Sequence, residues 1–140
     1  MGIINVTPDS FSDGGMWLGT SAAVGHGLDL IAQGAKILDV GGESTRPGAE
    51  RVSEEEEMTR VMPVIEGLRI PAAATGVALS VDTMRSSVAR AAVRAGASIV
   101  NDVSGGLADT GMLGAVAELG VDYICQHWRG FGSAIGFVME

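Results

Sequence analysis

Polar side chains stand at the ends of successive short apolar runs along this chain. They are Asn5, Asp39, Asp82 and Asn101, with the pair Gln126-His127 after the last run. In parallel α/β folds ligands bind at the carboxyl ends of the strands, where residues of successive strands converge. Carboxylates and amides together could hydrogen-bond the edge of a nitrogen heterocycle. A lone residue of this kind more often caps a helix, so residue types alone support a ligand site and a structural role about equally.

The segment after Asp39 contains a second kind of chemistry. Two glycines free the backbone, and Thr45 and Arg46 then supply a hydroxyl and a guanidinium that suit phosphate oxygens. An arginine at the surface, paired with Glu43 or Glu50, is an equally good interpretation of the same residues. The segment is therefore a candidate anion clamp on the loop between a strand and a helix.

Other familiar sites have no sequence support. The chain has no Walker motif and no G-x-G-x-x-G pattern, which removes the usual signals for nucleotide binding. The histidines His26 and His127 are far apart, and no Cys/His set has zinc spacing. We expect His26 to be structural and Cys125 to be a core thiol, whereas His127 is a site candidate at a strand end.

The length, composition and net charge indicate a globular protein. Of 140 residues 46% are hydrophobic, and the net charge of −8 argues against a nucleic-acid surface. No apolar run approaches the roughly 20 residues of a membrane span. A single cysteine fits a reducing compartment, so we expect a cytoplasmic location without internal disulfides.

A repeated junction between the end of a helix and the next strand predicts the fold class. The segments 34–39, 96–101 and 120–125 each pass from a glycine at a helix end into a short apolar strand. We count five strands and four intervening helices, and strands this apolar favour parallel pairing covered by helices. Periodicity alone does not separate a small open sheet from the first five strands of a larger barrel.

The helix boundaries are predicted from capping and breaking residues. Ser21 is a plausible N-cap of the first helix, and Ser53 begins a capping box for the second. The acidic run 54–57 should be a solvated helix start, and Pro63 should kink the helix that follows. Residues 70–76 are expected to form a Pro/Ala connection. Further helices are predicted at 86–95 and 112–119.

Four ordered blocks closely resemble the signatures of the dihydropteroate synthase family. They are residues 1–15 (MGIINVTPDSFSDGG), 39–49 (DVGGESTRPGA), 80–83 (SVDT) and 101–106 (NDVSGG). The resemblance covers essentially the whole chain. It implies the first five strands and intervening helices of a parallel (β/α)8 TIM barrel, incomplete in this chain, as one partial pterin-binding domain over residues 1–140.

The resemblance also implies an activity in folate biosynthesis. It is the condensation of 6-hydroxymethyl-7,8-dihydropterin diphosphate with 4-aminobenzoate, which gives 7,8-dihydropteroate and pyrophosphate with Mg²⁺ as cofactor. By matching motifs, Asn5 would help hold the metal, and Asp82 and Asn101 would bind the pterin and act in catalysis. The resemblance also places Asp39 at the mouth of the same site.

The remaining implied contacts lie on two loops. Thr45 and Arg46 would contact the diphosphate side and the neighbouring aminobenzoate pocket. Phe11 and Pro47 resemble part of that pocket, where sulfonamides compete. Gln126 departs from the methionine that the family commonly places against the pterin face.

The sequence also allows two other interpretations. The family's later blocks, which carry an Asp, a Lys and an Arg-x-His, have no counterpart in this sequence. We therefore expect the 140-residue chain alone to be inactive and aggregation-prone, and full-length family members to be homodimers. The runner-up is a pterin-binding module related to methyltetrahydrofolate–corrinoid methyltransferases, and a third possibility is a remnant without a ligand.

Overall fold

The computed structural model describes residues 1–6, 15–42 and 52–125, in which strands and helices alternate. In chain order the elements are β1 (Gly2–Asn5), α1 (Gly15–Ala32), β2 (Ile37–Gly41), α2 (Glu54–Thr75), β3 (Ala78–Asp82), α3 (Ser86–Ala95), β4 (Ile99–Asp102), α4 (Met112–Leu119) and β5 (Asp122–Cys125). The predicted count of five strands and four helices is confirmed, and the bounds of α3 and α4 match the prediction.

The five strands form one parallel sheet in the order β1-β2-β3-β4-β5. Each helix therefore connects a strand to its immediate neighbour, and successive helices pack against one another in the same order. A doubly wound sheet would instead reverse its strand order at a switch point. Unbroken sequential order is the arrangement of a barrel wall, as the fold prediction requires.

The two faces of the sheet differ sharply in chemistry. Side chains of one face lie beneath the helices and form the apolar core: Ile4, Leu38, Val40, Leu79, Val81 and Val100, all at most 3% exposed. Since neighbouring residues of a strand point to opposite faces, the alternate positions form a second face. That face carries the polar residues Asn5, Asp39, Ser80, Asp82 and Asn101.

Two helix boundaries differ from their predictions. α1 begins at Gly15, so Ser21 lies inside the helix, where its small propensity penalty is easily tolerated. α2 continues through Pro71 to Thr75, because burial of Leu68 and Ala72 outweighs the backbone hydrogen bond that the proline removes. The predicted connection at 70–76 was therefore wrong. The Ser53 cap is confirmed, with its Oγ accepting from Glu56 N at 3.1 Å.

A buried carboxylate on the helix-facing side holds the connection after β4. Asp102 is 0% exposed, and its Oδ1 accepts from Ser104 N at 2.9 Å and Ser104 Oγ at 2.7 Å. Its Oδ2 accepts from Gly106 N at 3.0 Å and from Tyr123 Oη at 2.9 Å. Four donors offset the cost of burying this group. The three from Ser104 and Gly106 fix the loop that follows β4, and the fourth connects Asp102 to β5.

We predict that Gly41→Ala destabilises the protein, because a Cβ at this position would lie 3.1 Å from Asp82 Cβ on the paired strand. The new Cβ and Asp82 Cβ are each fixed by their strand, so their crowding should lower the free energy of unfolding by about 1–3 kcal/mol. The control is Gly25→Ala on α1, where a Cβ meets nothing within 4 Å. Alanine there should stabilise the helix by about 0.5–1 kcal/mol. Urea unfolding of both variants of the complete protein checks this, and equal shifts would contradict the crowding.

Candidate functional site

The ends of four neighbouring strands place polar groups in one row. Strand register pairs Asn5 with Gly41, Gly41 with Asp82, and Asp82 with Asn101. Residues in register on parallel strands project from the same face. The structure thus brings together three of the residues that the sequence predicted to converge, with Gly41 between Asn5 and Asp82.

Asp39 lies one row deeper on the same face, in register with Ser80. It is only 3% exposed, and its Oδ1 accepts a hydrogen bond from Ser80 Oγ at 2.7 Å. Its Oδ2 accepts from Asn101 Nδ2 at 3.1 Å. Burial raises the pKa of Asp39 above its ordinary value, and the hydrogen bonds from Ser80 and Asn101 offset part of that rise.

The bond to Asp39 fixes which way the Asn101 amide faces. Because Asn101 donates through Nδ2 to Asp39, its Oδ1 points away from that carboxylate. This Oδ1 is buried and has no hydrogen-bond partner among residues 1–6, 15–42 and 52–125. A buried acceptor without a donor is costly in a native protein, and a ligand N–H is one way to satisfy it. Asn101 is therefore prepared to accept a hydrogen bond from a bound molecule.

Asp82 and Asn5 are the more accessible members of the row. Asp82 is partly buried at the end of β3, and Asn5 is exposed at the end of β1. By strand register both side chains project from the face that carries Asn101. The described residues supply acceptors along one line, as recognition of N–H groups on a flat heterocycle requires.

The row offers few ligands for a magnesium ion. Among the described residues there is no group of three or more His, Cys, Asp or Glu side chains able to hold a metal. Mg²⁺ usually keeps several waters and binds through one or two protein oxygens together with substrate phosphates. The exposed amide oxygen of Asn5 fits that limited role.

Five of the predicted site residues lie outside the described part of the chain. They are Phe11, Thr45, Arg46, Pro47 and His127, and the same holds for Gln126. Their assigned contacts stay predictions. The two residues that precede the segment 43–51, Gly41 and Gly42, are described and buried, and Gly41 is in register with Asn5 and Asp82.

Sequence reasoning missed Ser80 as a site residue and was wrong for one member of the acidic run, Glu57, whereas Glu54, Glu55 and Glu56 are exposed as predicted. Ser80 lies two residues before Asp82 and so projects from the same face, a signal that strand periodicity could have supplied. The run 54–57 was expected to be solvated, but Glu57 is 0% exposed and its Oε1 accepts from Arg85 Nη1 at 2.7 Å. Glu57 lies one helical turn before buried Val61, which places it on the buried stripe of α2.

A polar cleft of about 390 Å³ is lined by none of Asn5, Asp82 and Asn101. Residues from the start of α2, the β3–α3 connection and the β4–α4 connection line it, among them Glu54, Arg85 and Asp109. No helix in the described part of the chain is long and apolar enough to cross a membrane.

Comparison with known proteins decides the family. The family described as pterin binding enzyme matches residues 1–135. The chain belongs to the pterin binding enzyme family. It is 54% identical over 129 residues to the dihydropteroate synthase of Mycobacterium leprae, covering 92% of this chain and 44% of that relative.

Solved structures agree with this family. A Xanthomonas albilineans dihydropteroate synthase with 4-aminobenzoic acid matches with a TM-score of 0.82 and 56% identity, over 93% of this chain and 46% of that one. An Anaplasma phagocytophilum dihydropteroate synthase with bound 6-hydroxymethylpterin-monophosphate matches with a TM-score of 0.84 and 40% identity, over 94% and 48%. The chain spans under half of these relatives, and its five strands form the first part of their TIM barrel. The resemblance and the predicted fold class are confirmed.

The raised pKa of Asp39 predicts a pH-dependent effect of Asp39→Asn. A raised folded-state pKa means that the ionised carboxylate opposes folding, so its cost appears as pH rises above the ordinary value of 3.8. The free energy of unfolding of Asp39→Asn, relative to the unaltered protein, should therefore increase between pH 4 and pH 7. Urea unfolding of the complete protein across this range measures it, and a relative stability that falls with pH would contradict it.

Asp109→Asn is the matched control with the opposite sign. Asp109 Oδ2 accepts from Ser86 N at 2.6 Å and Oδ1 from Gly111 N at 2.8 Å, and these bonds lower its pKa. Its stabilising contribution is present above the ordinary pKa and is lost as pH falls through the lowered value. Asp109→Asn should therefore be most destabilising at neutral pH.

Proposed function

We propose that this chain is the pterin-binding portion of a dihydropteroate synthase. The observation that carries the proposal is the buried Oδ1 of Asn101, which has no partner in the part of the chain that the structure describes and lies in one row with Asp82 and Asn5. A pterin presents N–H groups along one edge, which matches a row of acceptors. Related synthases bind 4-aminobenzoic acid and 6-hydroxymethylpterin-monophosphate, which supports the same substrates for the complete protein here.

In the proposed complex, Asn101 and Asp82 hold the pterin ring. Asn101 accepts a ring N–H through its Oδ1 while Asp39 retains its Nδ2, so the amide cannot turn to present a donor instead. Ser80 holds Asp39 from the other side at 2.7 Å. A buried site of this kind rejects heterocycles with an acceptor at that position, because two acceptors would face one another.

The reaction replaces one bond at the pterin methylene carbon. The carbon–oxygen bond to diphosphate breaks with its electron pair leaving on oxygen, and the 4-aminobenzoate nitrogen forms a new carbon–nitrogen bond and then loses a proton. The methylene carbon is electron-poor as the leaving group departs, and the carboxylate of Asp82 stabilises that charge electrostatically. No protein nucleophile is needed.

The leaving pyrophosphate carries several negative charges. We assign Asn5 to the magnesium ion and Thr45 and Arg46 to the diphosphate side, from the family resemblance. When bound, Mg²⁺ supplies positive charge that offsets the charge on the phosphate oxygens. The exposed position of Asn5 at the open end of the row supports its part in this assignment.

The aminobenzoate side of the site rests on the resemblance. Phe11 and Pro47 are assigned to that pocket, and His127 follows the strand that neighbours Asn101 in the sheet. We further propose a cytoplasmic location, supported by the single cysteine, and a homodimer for the complete protein, as the resemblance implies.

The proposed function is tested with the complete protein that carries this chain. Supplied with 6-hydroxymethyl-7,8-dihydropterin diphosphate, 4-aminobenzoate and Mg²⁺, it should form 7,8-dihydropteroate and pyrophosphate, which chromatography and a phosphate assay detect. Asp82→Asn should lower kcat by at least about tenfold, since it removes the charge beside the reacting carbon. Binding of a folate without any product would instead support a pterin-binding module, and binding of neither would support a remnant.

Asn101→Ala should weaken pterin binding specifically. Removal of the acceptor and of the bond to Asp39 should raise the dissociation constant for 6-hydroxymethylpterin by about tenfold or more, measured by calorimetry. Asn101→Asp is the informative companion, because it keeps the acceptor but sets two carboxylates against each other. Equal affinity of Asn101→Ala and the unaltered protein would contradict the assigned role.

A further inference from the structure

One carboxylate joins the starts of two neighbouring helices. Asp109 lies in the connection between β4 and α4, and its Oδ2 accepts at 2.6 Å from the backbone N of Ser86, the first residue of α3. Its Oδ1 accepts at 2.8 Å from the backbone N of Gly111, the N-cap of α4. These bonds, together with one from the Ser86 hydroxyl, lower the pKa of Asp109. Asp109 is therefore ionised at neutral pH, and a charged acceptor makes stronger hydrogen bonds than a neutral one.

The cap that Asp109 supplies to α3 differs from the local cap of α2. In α2, Ser53 Oγ accepts from Glu56 N, three residues further along the chain. In α3 the N-cap residue is Arg85, whose side chain makes no capping bond to the helix in the described part of the chain. Asp109 supplies that acceptor from 23 residues away. Since a serine or aspartate at the N-cap would stabilise α3 equally well, helix stability alone does not explain a cap from another connection.

The two helix starts approach each other closely around this carboxylate. A Cβ on Gly111 would lie 3.2 Å from Asp109 Oδ1 and 3.4 Å from Ser86 Oγ. The first of these distances is shorter than nearly all Cβ contacts in proteins. Glycine at position 111 therefore leaves the space in which one carboxylate reaches two backbone amides.

Both connections leave strands that carry the proposed pterin contacts. Asp82 ends β3 and is in register with Asn101 on β4. Thr83, the first residue after β3, donates from its backbone N to Asn101 O at 3.1 Å. Ser86 follows three residues later. The two strand ends are thus joined twice, by this backbone bond and by Asp109 at the start of α3.

Hydrogen bonds also run along the β4–α4 connection, from the neighbour of Asn101 to the neighbour of Asp109. Ser104 Oγ donates to Asp102 Oδ1 at 2.7 Å and accepts from Ala108 N at 3.2 Å. Asp102 directly follows Asn101, and Ala108 directly precedes Asp109. A displacement at Asp109 is therefore transmitted to the end of β4 through a contiguous set of hydrogen bonds.

We propose that Asp109 is a positioning residue that keeps Asp82 and Asn101 at the separation that pterin binding requires. The inference rests on the proposed function, because it concerns the pterin side of that same site. Two side chains that bind one rigid ring must keep their geometry to within about 0.5 Å. Asp109 acts through the two connections, so its loss should weaken binding in protein that is still folded.

The first test is calorimetry of 6-hydroxymethylpterin binding to variants of the complete protein, at a temperature at which circular dichroism shows each variant to be folded. Asp109→Ala removes both backbone bonds and should raise the dissociation constant about fivefold to tenfold. Asp109→Asn keeps one acceptor but turns an NH₂ group toward the other backbone N–H, so its effect should be smaller. Equal affinity of Asp109→Ala and the unaltered protein would overturn the proposal.

Ser86→Pro breaks the same link from the other side. Proline is favoured at the first position of a helix, and the extended backbone of Arg85 (φ −110°, ψ 127°) suits the residue before a proline. This variant removes the amide N–H and should weaken pterin binding as Asp109→Ala does. The double variant should bind no more weakly than Asp109→Ala alone, because both changes remove one link. Additive losses would overturn the proposal.

Glu118→Gln is the matched control, because it removes a different contact between the same two helices. Glu118 Oε2 on α4 pairs with Arg90 Nη1 on α3 at 2.7 Å. Neither residue belongs to the connections that follow β3 and β4, so the dissociation constant should stay within about twofold of the unaltered value. A loss of affinity equal to that of Asp109→Ala would overturn the proposal, since any contact between α3 and α4 would then have the same effect.

Amide hydrogen exchange supplies a readout that needs no ligand. The Thr83 amide reports on the contact between the two strand ends, because it donates to Asn101 O. Relative to the most protected amides of the sheet, it should exchange at least about threefold faster in Asp109→Ala and at an unchanged rate in Glu118→Gln. Unchanged exchange of Thr83 in Asp109→Ala would overturn the proposal. Absence of dihydropteroate formation by the unaltered protein would contradict the proposed function alone, while the exchange comparison would still decide the positioning.

Discussion

A carboxylate buried in the polar face of a parallel sheet constrains the whole candidate site. Asp39 is 3% exposed, and burial of a charge without partners is prohibitively costly. Ser80 and Asn101 therefore have to donate to it, from the next strand and from the one beyond. Because Asn101 Nδ2 donates to Asp39, the amide oxygen Oδ1 remains as an acceptor at the strand ends. The specificity of the site thus originates one row below the place where a ligand would bind.

The rest of the fold supplies the frame that this arrangement needs. Sequential parallel strands bring Asn5, Asp82 and Asn101 into one register row, and the helices bury the opposite face. Asp102, next to Asn101 in sequence but on the helix side, fixes the following loop with three hydrogen bonds and accepts a fourth from Tyr123 on β5. The polar row and the apolar core therefore occupy opposite faces of the same strands.

The sequence order of strands and helices and most residues of the polar face were predictable from the sequence, for physical reasons. Asn5, Asp39, Asp82 and Asn101 were predictable because each ends an apolar run, and parallel strands bring such ends together. The sequence did not reveal that Asp39 is a buried hydrogen-bond centre, since that depends on which strands are neighbours. The prediction that Glu57 is solvated was wrong because its partner, Arg85, lies 28 residues away in the sequence. Helix α2 extended past Pro71 because tertiary packing overrode a local breaker.

The most direct test of the site is a crystal structure of the complete protein with 6-hydroxymethylpterin monophosphate bound. We expect the ring to lie against the row, with a ring N–H about 2.7–3.2 Å from Asn101 Oδ1 and the Asn101–Asp39 bond retained. A pterin bound elsewhere, or an Asn101 amide turned so that Nδ2 faces the ligand, would contradict the role assigned to Asp39.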